Sequence, residues 1–330
     1  MSTVGAQVRA LIEGQARVWP SALAEAWPLG AEAPLVFVGS GSSYYLAQVA
    51  AAVARRLHVP AWAAPAGEVW LEPQSSLLNA KSVLIVSRSG TTSEALLAAK
   101  AARDQGLVTY GLTCNPDTPL AAAVDKVTVL PADDATVVMI QSYTAMLLWL
   151  EASLALGAGT SVASYFQADR SSSLLQQART MTDAVLQDPP RRTIYLGAGV
   201  RYGIAREAAL KALEMGGGQV LWYHPLEFRH GPWGSVEAGD VVWLLGQEAL
   251  VHVEASLVEE LQARGASVIE LARNPTGRST RAVRIPDGVP DLFSGPLAVI
   301  PLQWYAWAWA VRLGQDPDRP RNLTKVVRLD

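Results

Sequence analysis

A single cysteine, Cys114, stands in 330 residues. One thiol excludes a disulfide within the chain and any cysteine-rich zinc site, and a reducing cytoplasm is the compartment that follows. Excess charge of one sign is also missing. With 27 basic side chains against 30 acidic ones the formal net charge is −3, which gives no electrostatic footprint for nucleic acid. No apolar run reaches the roughly 18 residues of a bilayer span. The richest stretches, 47–54 and 144–156, are too short or too interrupted and read as buried helices. The first residues lack the basic, apolar and small-residue order of a secretory signal, so the expectation is a cytoplasmic protein with neither membrane nor nucleic acid as partner. Four histidines and no spaced cluster of ligating side chains give no expectation of a metal.

What is present is apolar mass, half of all residues, enough for about two domains. The chain also repeats itself. Val36-Phe-Val-Gly-Ser-Gly-Ser-Ser-Tyr44 and Ile194-Tyr-Leu-Gly-Ala-Gly-Val-Arg-Tyr202 share an apolar strand followed by Gly-x-Gly-x-x-Tyr, and each then enters an alanine-rich helix. Two copies of one α/β domain explain this most simply. The third glycine of a dinucleotide fingerprint is replaced by Tyr44 and Tyr202, which argues against NAD. Strand-like runs at 35–38, 82–86, 108–112 and 126–130 alternate with helical stretches at 45–57, 94–105, 120–124 and 142–155. The second half repeats the order with strands at 194–196, 241–245 and 268–271 and helices at 205–215 and 250–264. Such alternation predicts parallel sheets covered on both faces.

The stretch Val83-Leu-Ile-Val-Ser-Arg-Ser-Gly-Thr-Thr-Ser-Glu94 ends an apolar strand in hydroxyls and a glycine, then opens a helix. Backbone N–H groups at a helix N-terminus lack intrahelical partners and carry the positive end of the macrodipole, so a turn of this kind can hold a phosphate. Thr91 with Glu94 has the spacing of a capping box. A well-capped surface turn is the other reading of the same residues.

Together with this loop, Gly41-Ser-Ser-Tyr44, Glu207-Ala-Ala-Leu-Lys-Ala-Leu-Glu214, Glu227-Phe-Arg-His-Gly-Pro232 and Asp316-Pro-Asp-Arg-Pro-Arg-Asn-Leu-Thr-Lys325 resemble, in the same order, the tandem members of the sugar isomerase (SIS) family. The resemblance covers residues 31 to 330 and implies two flavodoxin-like SIS domains. The expected organisation is an N-terminal helical extension (1–30), a phosphate-binding domain (31–165), a linker helix (166–189), a catalytic domain (190–315) and a C-terminal tail closing the site (316–330). By the same resemblance Ser43, Ser87, Ser89 and Thr92 bind the phosphate of a hexose 6-phosphate, with Ser42 in support. Arg88 stands where synthase members of the family carry glutamine. An arginine there either adds a bidentate contact to the phosphate or points into solvent.

The second copy has Leu244-Leu-Gly-Gln247 in place of a hydroxyl loop, which leaves it for chemistry. Glu207, Lys211 and Glu214 fall at i, i+4 and i+7, so all three project from one helix face, as they also would on a surface helix with paired charges. Three glycines, 216–218, then end the helix. The resemblance implies that Glu214 shuttles a proton between C1 and C2 of an open sugar with Lys211 beside it, Glu207 and Glu227 supporting. It implies that His230 acts on the ring oxygen from a neighbouring subunit, hence a homodimer with shared sites, and that Lys325 forms a Schiff base with the open ketose. The expected function is a hexosamine-phosphate deaminase/isomerase using free ammonia and no cofactor, since the only cysteine is far from the N-terminal position of a glutaminase nucleophile. Two other readings stay open: a ketose/aldose isomerase or fructosamine-type deglycase, and a non-catalytic sugar-phosphate-binding regulator.

Overall fold

The computed structural model describes residues 4–279 and 281–329. Two compact units divide the chain. The first lobe comprises Ala16–Ala135, Met139–Ser164 and the residues from Thr324 onward; the second comprises the residues up to Gln15, Thr136–Val138 and Tyr165–Leu323. Helix α1 (Ala6–Glu13) therefore belongs to the second lobe, and α2 (Trp19–Ala24) to the first.

The first lobe holds β1 (Leu35–Gly39), β2 (Ala61–Pro65), β3 (Ser82–Val86), β4 (Val108–Thr113) and β5 (Lys126–Val129) in the order β2-β1-β3-β4-β5, all parallel. β1 and β3 are buried along their whole length, which requires helices on both faces. Val36, Val38, Val83 and Ile85 point to one face and pack with alanines of α4 (Ala66–Leu71) and α6 (Ser93–Asp104) and with Leu120 of α7 (Pro119–Ala123). α3 (Ser42–Arg56) packs on β1 and β2 and against α8 (Gln141–Gly157), whose residues 142–155 are all buried. A short α5 (Pro73–Ser76) follows α4. β2 escapes the sequence pattern because Ala-Trp-Ala-Ala-Pro carries few β-branched residues and ends in proline at a sheet edge.

The second lobe repeats the plan. β6 (Arg192–Gly197), β7 (Gln219–Tyr223), β8 (Asp240–Leu245), β9 (Ser267–Ala272) and β10 (Ala282–Arg284) lie parallel in the order β10-β9-β8-β6-β7, the same 2-1-3-4-5 connectivity read from the other edge. Leu257, Val258 and Leu261 of α12 (Val251–Ala263) and Phe228 of α11 (Pro225–Phe228) pack on one face of its sheet. α10 (Val200–Met215) packs on β6, β7 and α13 (Gly295–Arg312), and α9 (Ala168–Val185) packs on α13. α13 is apolar on every side and so shows no helical period to a reader of the sequence.

Each lobe explains its own Gly-x-Gly without a nucleotide. A Cβ on Gly39 would lie 2.4 Å from the Ser43 backbone, and one on Gly197 would lie 2.4 Å from the Arg201 carbonyl oxygen, so the strand end and the helix start can meet only at glycine. The second glycine of each pair takes the same left-sided conformation, φ 56° at Gly41 and 53° at Gly199.

Two local expectations fail. α3 begins at Ser42, three residues before the predicted start, which puts Ser42 and Ser43 in its first turn. No capping box forms at Thr91 and Glu94: α6 begins after Thr92, whose side chain makes no cap bond. The reason is local competition, since the Thr91 N–H and hydroxyl both donate to the Ser89 hydroxyl, each at 3.2 Å, and hold Thr91 in the loop.

Candidate functional site

In the first lobe the loops after β1 and β3, neighbouring strands on opposite sides of the order reversal, flank the crevice where open α/β sheets bind ligands. The first loop presents Ser42 and Ser43, both buried. The second presents the expected hydroxyls: the Ser87 hydroxyl accepts the Gly90 N–H at 3.2 Å, and the Ser89 and Thr92 hydroxyls lie 3.4 Å apart. Gly90 sits at φ 64° with Thr118 packed where a Cβ would be, so only glycine closes the turn. The structure thus brings Ser87, Ser89 and Thr92 into one hydroxyl-lined turn ahead of α6, and Ser43 into the turn beside it.

Of the two courses expected of Arg88, the one into solvent is not taken. Its side chain is buried rather than solvated, and the guanidinium donates to the carbonyl oxygen of Lys325 at 3.4 Å and lies 3.9 Å from the Asp133 carboxylate. The Lys325 ammonium in turn donates to Asp133 and to the Asp134 carbonyl oxygen, both at 2.8 Å. Residues 324–329 are therefore anchored on the first lobe by polar contacts, to which Leu329 adds an N–H bond to Ser93 at 3.0 Å. Val327 adds no buried apolar contact to these, being 55% exposed.

Asp133 and Asp134 were not singled out by sequence reasoning. Adjacent acids after a strand were the available signal, but only the fold separates their roles. The Asp134 carboxylate turns inward and accepts the N–H groups of Ile140, Gln141 and Ser142 at the start of α8, while Asp133 faces Lys325. Burial raises the Asp134 carboxyl above its ordinary value, opposed by its bond from the Ser142 hydroxyl. Burial, together with these two carboxylates, also pushes the nearby Cys114 thiol far up, so that cysteine is an inert core residue.

In the second lobe α10 carries the charged face anticipated from spacing, but most of it is interior. The Lys211 side chain is 1% exposed and stands 3.5 Å from Glu207, also 1% exposed, and it donates a hydrogen bond to Glu214, which keeps 22%. Gly216 ends the helix in the left-handed region at φ 93°. Glu214 consequently lines an open cleft of about 350 Å³ with Gln315, Asp316, Arg319 and Arg321 among its walls. His230 and Glu227 are both exposed, on the turn around α11, where His224 accepts the Leu226 N–H. Within this lobe the structure joins Glu207, Lys211 and Glu214 into one group.

The end of β8, which corresponds to the hydroxyl loop of the first lobe, is already satisfied from within. Glu254 on α12 accepts the Gln247 N–H at 3.2 Å, and Gln247 donates its side-chain amide to the Ala198 carbonyl. Burial lifts the Glu254 carboxyl to about 7. Among the described residues no group of three or more His, Cys, Asp or Glu side chains is arranged to hold a metal ion, and no helix is long and apolar enough to cross a membrane.

The SIS domain model matches residues 31–156 and 187–303, one segment on each sheet. The chain belongs to the SIS domain family. Among SIS relatives, a glutamine–fructose-6-phosphate aminotransferase (isomerizing) of Corynebacterium efficiens is 28% identical over 332 residues, covering 90% of this chain and 51% of that protein. Its counterpart from Thermococcus kodakarensis is 29% identical, with 90% and 52% covered. The chain thus spans about half the length of the curated relatives it matches. Among solved SIS structures, a glucosamine-6-phosphate deaminase from Thermotoga maritima superposes with a TM-score of 0.83 at 28% identity, covering 98% of this chain and all of that one. A tagatose-6-phosphate ketose/aldose isomerase from Escherichia coli, at 21% identity and a TM-score of 0.77 with 96% of this chain and 98% of that one covered, shares the fold.

Proposed function

We propose that this SIS protein is a sugar-phosphate isomerase of the hexosamine branch, acting on a hexose 6-phosphate by ring opening and C1–C2 proton transfer. The observation that carries the reading is Glu214, a carboxylate on the wall of an open cleft whose only described ion-pair partner is the buried Lys211. A carboxylate so placed can take a proton from C1 or C2 of an open-chain sugar and return it to the other carbon, through an enediol or enamine. Lys211, held from the other side by Glu207, fixes the carboxylate and supplies positive charge as the neighbouring oxygen becomes anionic.

In this reading the phosphate is held by the hydroxyls of Ser87, Ser89, Thr92 and Ser43 and by N–H groups at the start of α6, with Ser42 in support. The Thermotoga maritima relative, a glucosamine-6-phosphate deaminase by name, supports an amino-sugar substrate with release of ammonia. Lys325 would bond to the ketose carbon as an imine, and His230, exposed on its turn, would serve ring opening in the site of a second copy of the chain. Glu227 stands beside it in support. The protein is further proposed to work in the cytoplasm, as a homodimer and without a cofactor.

A second reading, a ketose/aldose isomerase without nitrogen chemistry, is favoured by the ion pair of Lys325 with Asp133, which fits a lysine that merely fastens the tail. One experiment separates the two. Glucosamine 6-phosphate and fructose 6-phosphate are each incubated with the protein, and ammonia is followed together with exchange of the C2 proton of the first and of a C1 proton of the second. Ammonia from the amino sugar supports the first reading; isomerisation without ammonia supports the second; neither reaction overturns both.

A further inference from the structure

Lys325 is held at both ends. Its ammonium meets two acceptors at 2.8 Å, the Asp133 carboxylate and the Asp134 carbonyl oxygen, and its own carbonyl oxygen accepts from Arg88. Arg88 is buried, and its guanidinium also faces the second oxygen of Asp133. The chain from Arg88 through Asp133 to Lys325 therefore ties a residue of the hydroxyl loop, a residue after β5 and a residue of the C-terminal tail into one polar unit within the first lobe. The remaining charged group nearby, the Asp134 carboxylate, is spent on α8 N–H groups and does not compete for the ammonium.

We propose that Asp133 is a positioning residue for Lys325, holding its ammonium at the 133–134 turn, and that Arg88 anchors both partners of that pair. The inference rests on the reading in which Lys325 attacks a ketose. An ammonium has no lone pair for attack, so the pair stores the nucleophile as a cation at a fixed place. For the imine to form, the extra proton of Nζ passes to the Asp133 carboxylate, the freed lone pair forms the bond to the carbonyl carbon, and the two remaining Nζ hydrogens leave with the carbonyl oxygen as water. Asp133 is within reach for that proton, and no external reagent is needed to balance the step.

The test uses acetic anhydride at one mildly alkaline pH, with acetylation of Lys325 measured by peptide mass spectrometry against exposed Lys81 in the same molecules. Asp133→Asn keeps the shape and removes the charge, so acetylation of Lys325 relative to Lys81 should rise roughly three- to fivefold, the scale of a part-exposed ion pair. Asp133→Glu, which restores a carboxylate, should return the ratio toward wild type. An unchanged ratio in Asp133→Asn, or a ratio in Asp133→Glu no different from that of Asp133→Asn, overturns the proposal. In parallel, wild-type protein is treated with fructose 6-phosphate and borohydride. If acetylation responds as expected while no hexose phosphate adduct appears on Lys325, the positioning stands and the imine reading falls; an adduct with an unresponsive ratio gives the reverse.

Discussion

Lys211 donates a hydrogen bond to the carboxylate of Glu214 from a position that is itself closed to solvent, while Glu214 reaches the cleft. A buried cation thus orients an accessible base. The two residues are three apart on α10, yet the helix turns one inward and the other to its glycine-capped end.

Replacing Glu214 by glutamine keeps the hydrogen bond acceptor and removes the base. Turnover should fall by about 10² or more while binding of a sugar phosphate survives. Rates of C2 proton exchange measured by NMR in deuterated water provide the check, and wild-type exchange would refute the assignment.

Lys211→Met should be costly to the fold. Removing one partner of this buried ion pair should cost about 3–5 kcal/mol, a loss that urea unfolding would register. Pairing it with Glu207→Gln should recover much of that loss, because both sides of the ion pair are then neutral. A single variant as stable as wild type would mean that the group is hydrated in solution.

Ser89→Ala and Thr92→Ala each remove a donor from the loop after β3 without disturbing the core. Calorimetric titration with fructose 6-phosphate should show roughly 1–3 kcal/mol of weaker binding per variant. Affinity unchanged in both would move the phosphate elsewhere.

Stability should fall as pH rises through the range set by Glu254. Unfolded, this carboxyl ionises near 4.5; folded, burial holds the proton to about 7. Between those values the folded state binds more protons than the unfolded one, so its contribution is fully present below the lower value and lost by about pH 7, a change of about 3 kcal/mol. Glu254→Gln, neutral throughout and still able to accept the Gln247 N–H, should flatten this part of a pH series of urea melts. An identical slope in the variant would show that other groups govern the range.

If His230 serves a second copy of the chain, mixing inactive His230→Ala with inactive Glu214→Gln protein should restore part of the activity. Dimers verified by native mass spectrometry that stay inactive would return His230 to its own subunit or remove it from catalysis.

The parts of this protein that local sequence determined are those in which one segment carries its own constraint. Gly39 and Gly41, with their copies Gly197 and Gly199, announce a strand that must turn at once into a helix touching its end, because a Cβ or an ordinary φ forbids it. The spacing of Glu207, Lys211 and Glu214 likewise places three charges on one face of α10, since a helix has only one geometry. Tertiary structure decided what those groups do. The helix pattern allows an exposed charged face, but packing of α10 on β6, β7 and α13 buries Glu207 and Lys211 and leaves Glu214 to the cleft. Nothing near Arg88 in sequence says that its partners are Asp133 and a carbonyl 237 residues away, because an ion pair is selected by which surfaces meet after folding. β2, β7 and α13 were hidden for the same reason: an alanine-rich edge strand, a strand following three glycines and a helix apolar on all sides have no solvent-facing period, and their form is chosen by the layers that enclose them.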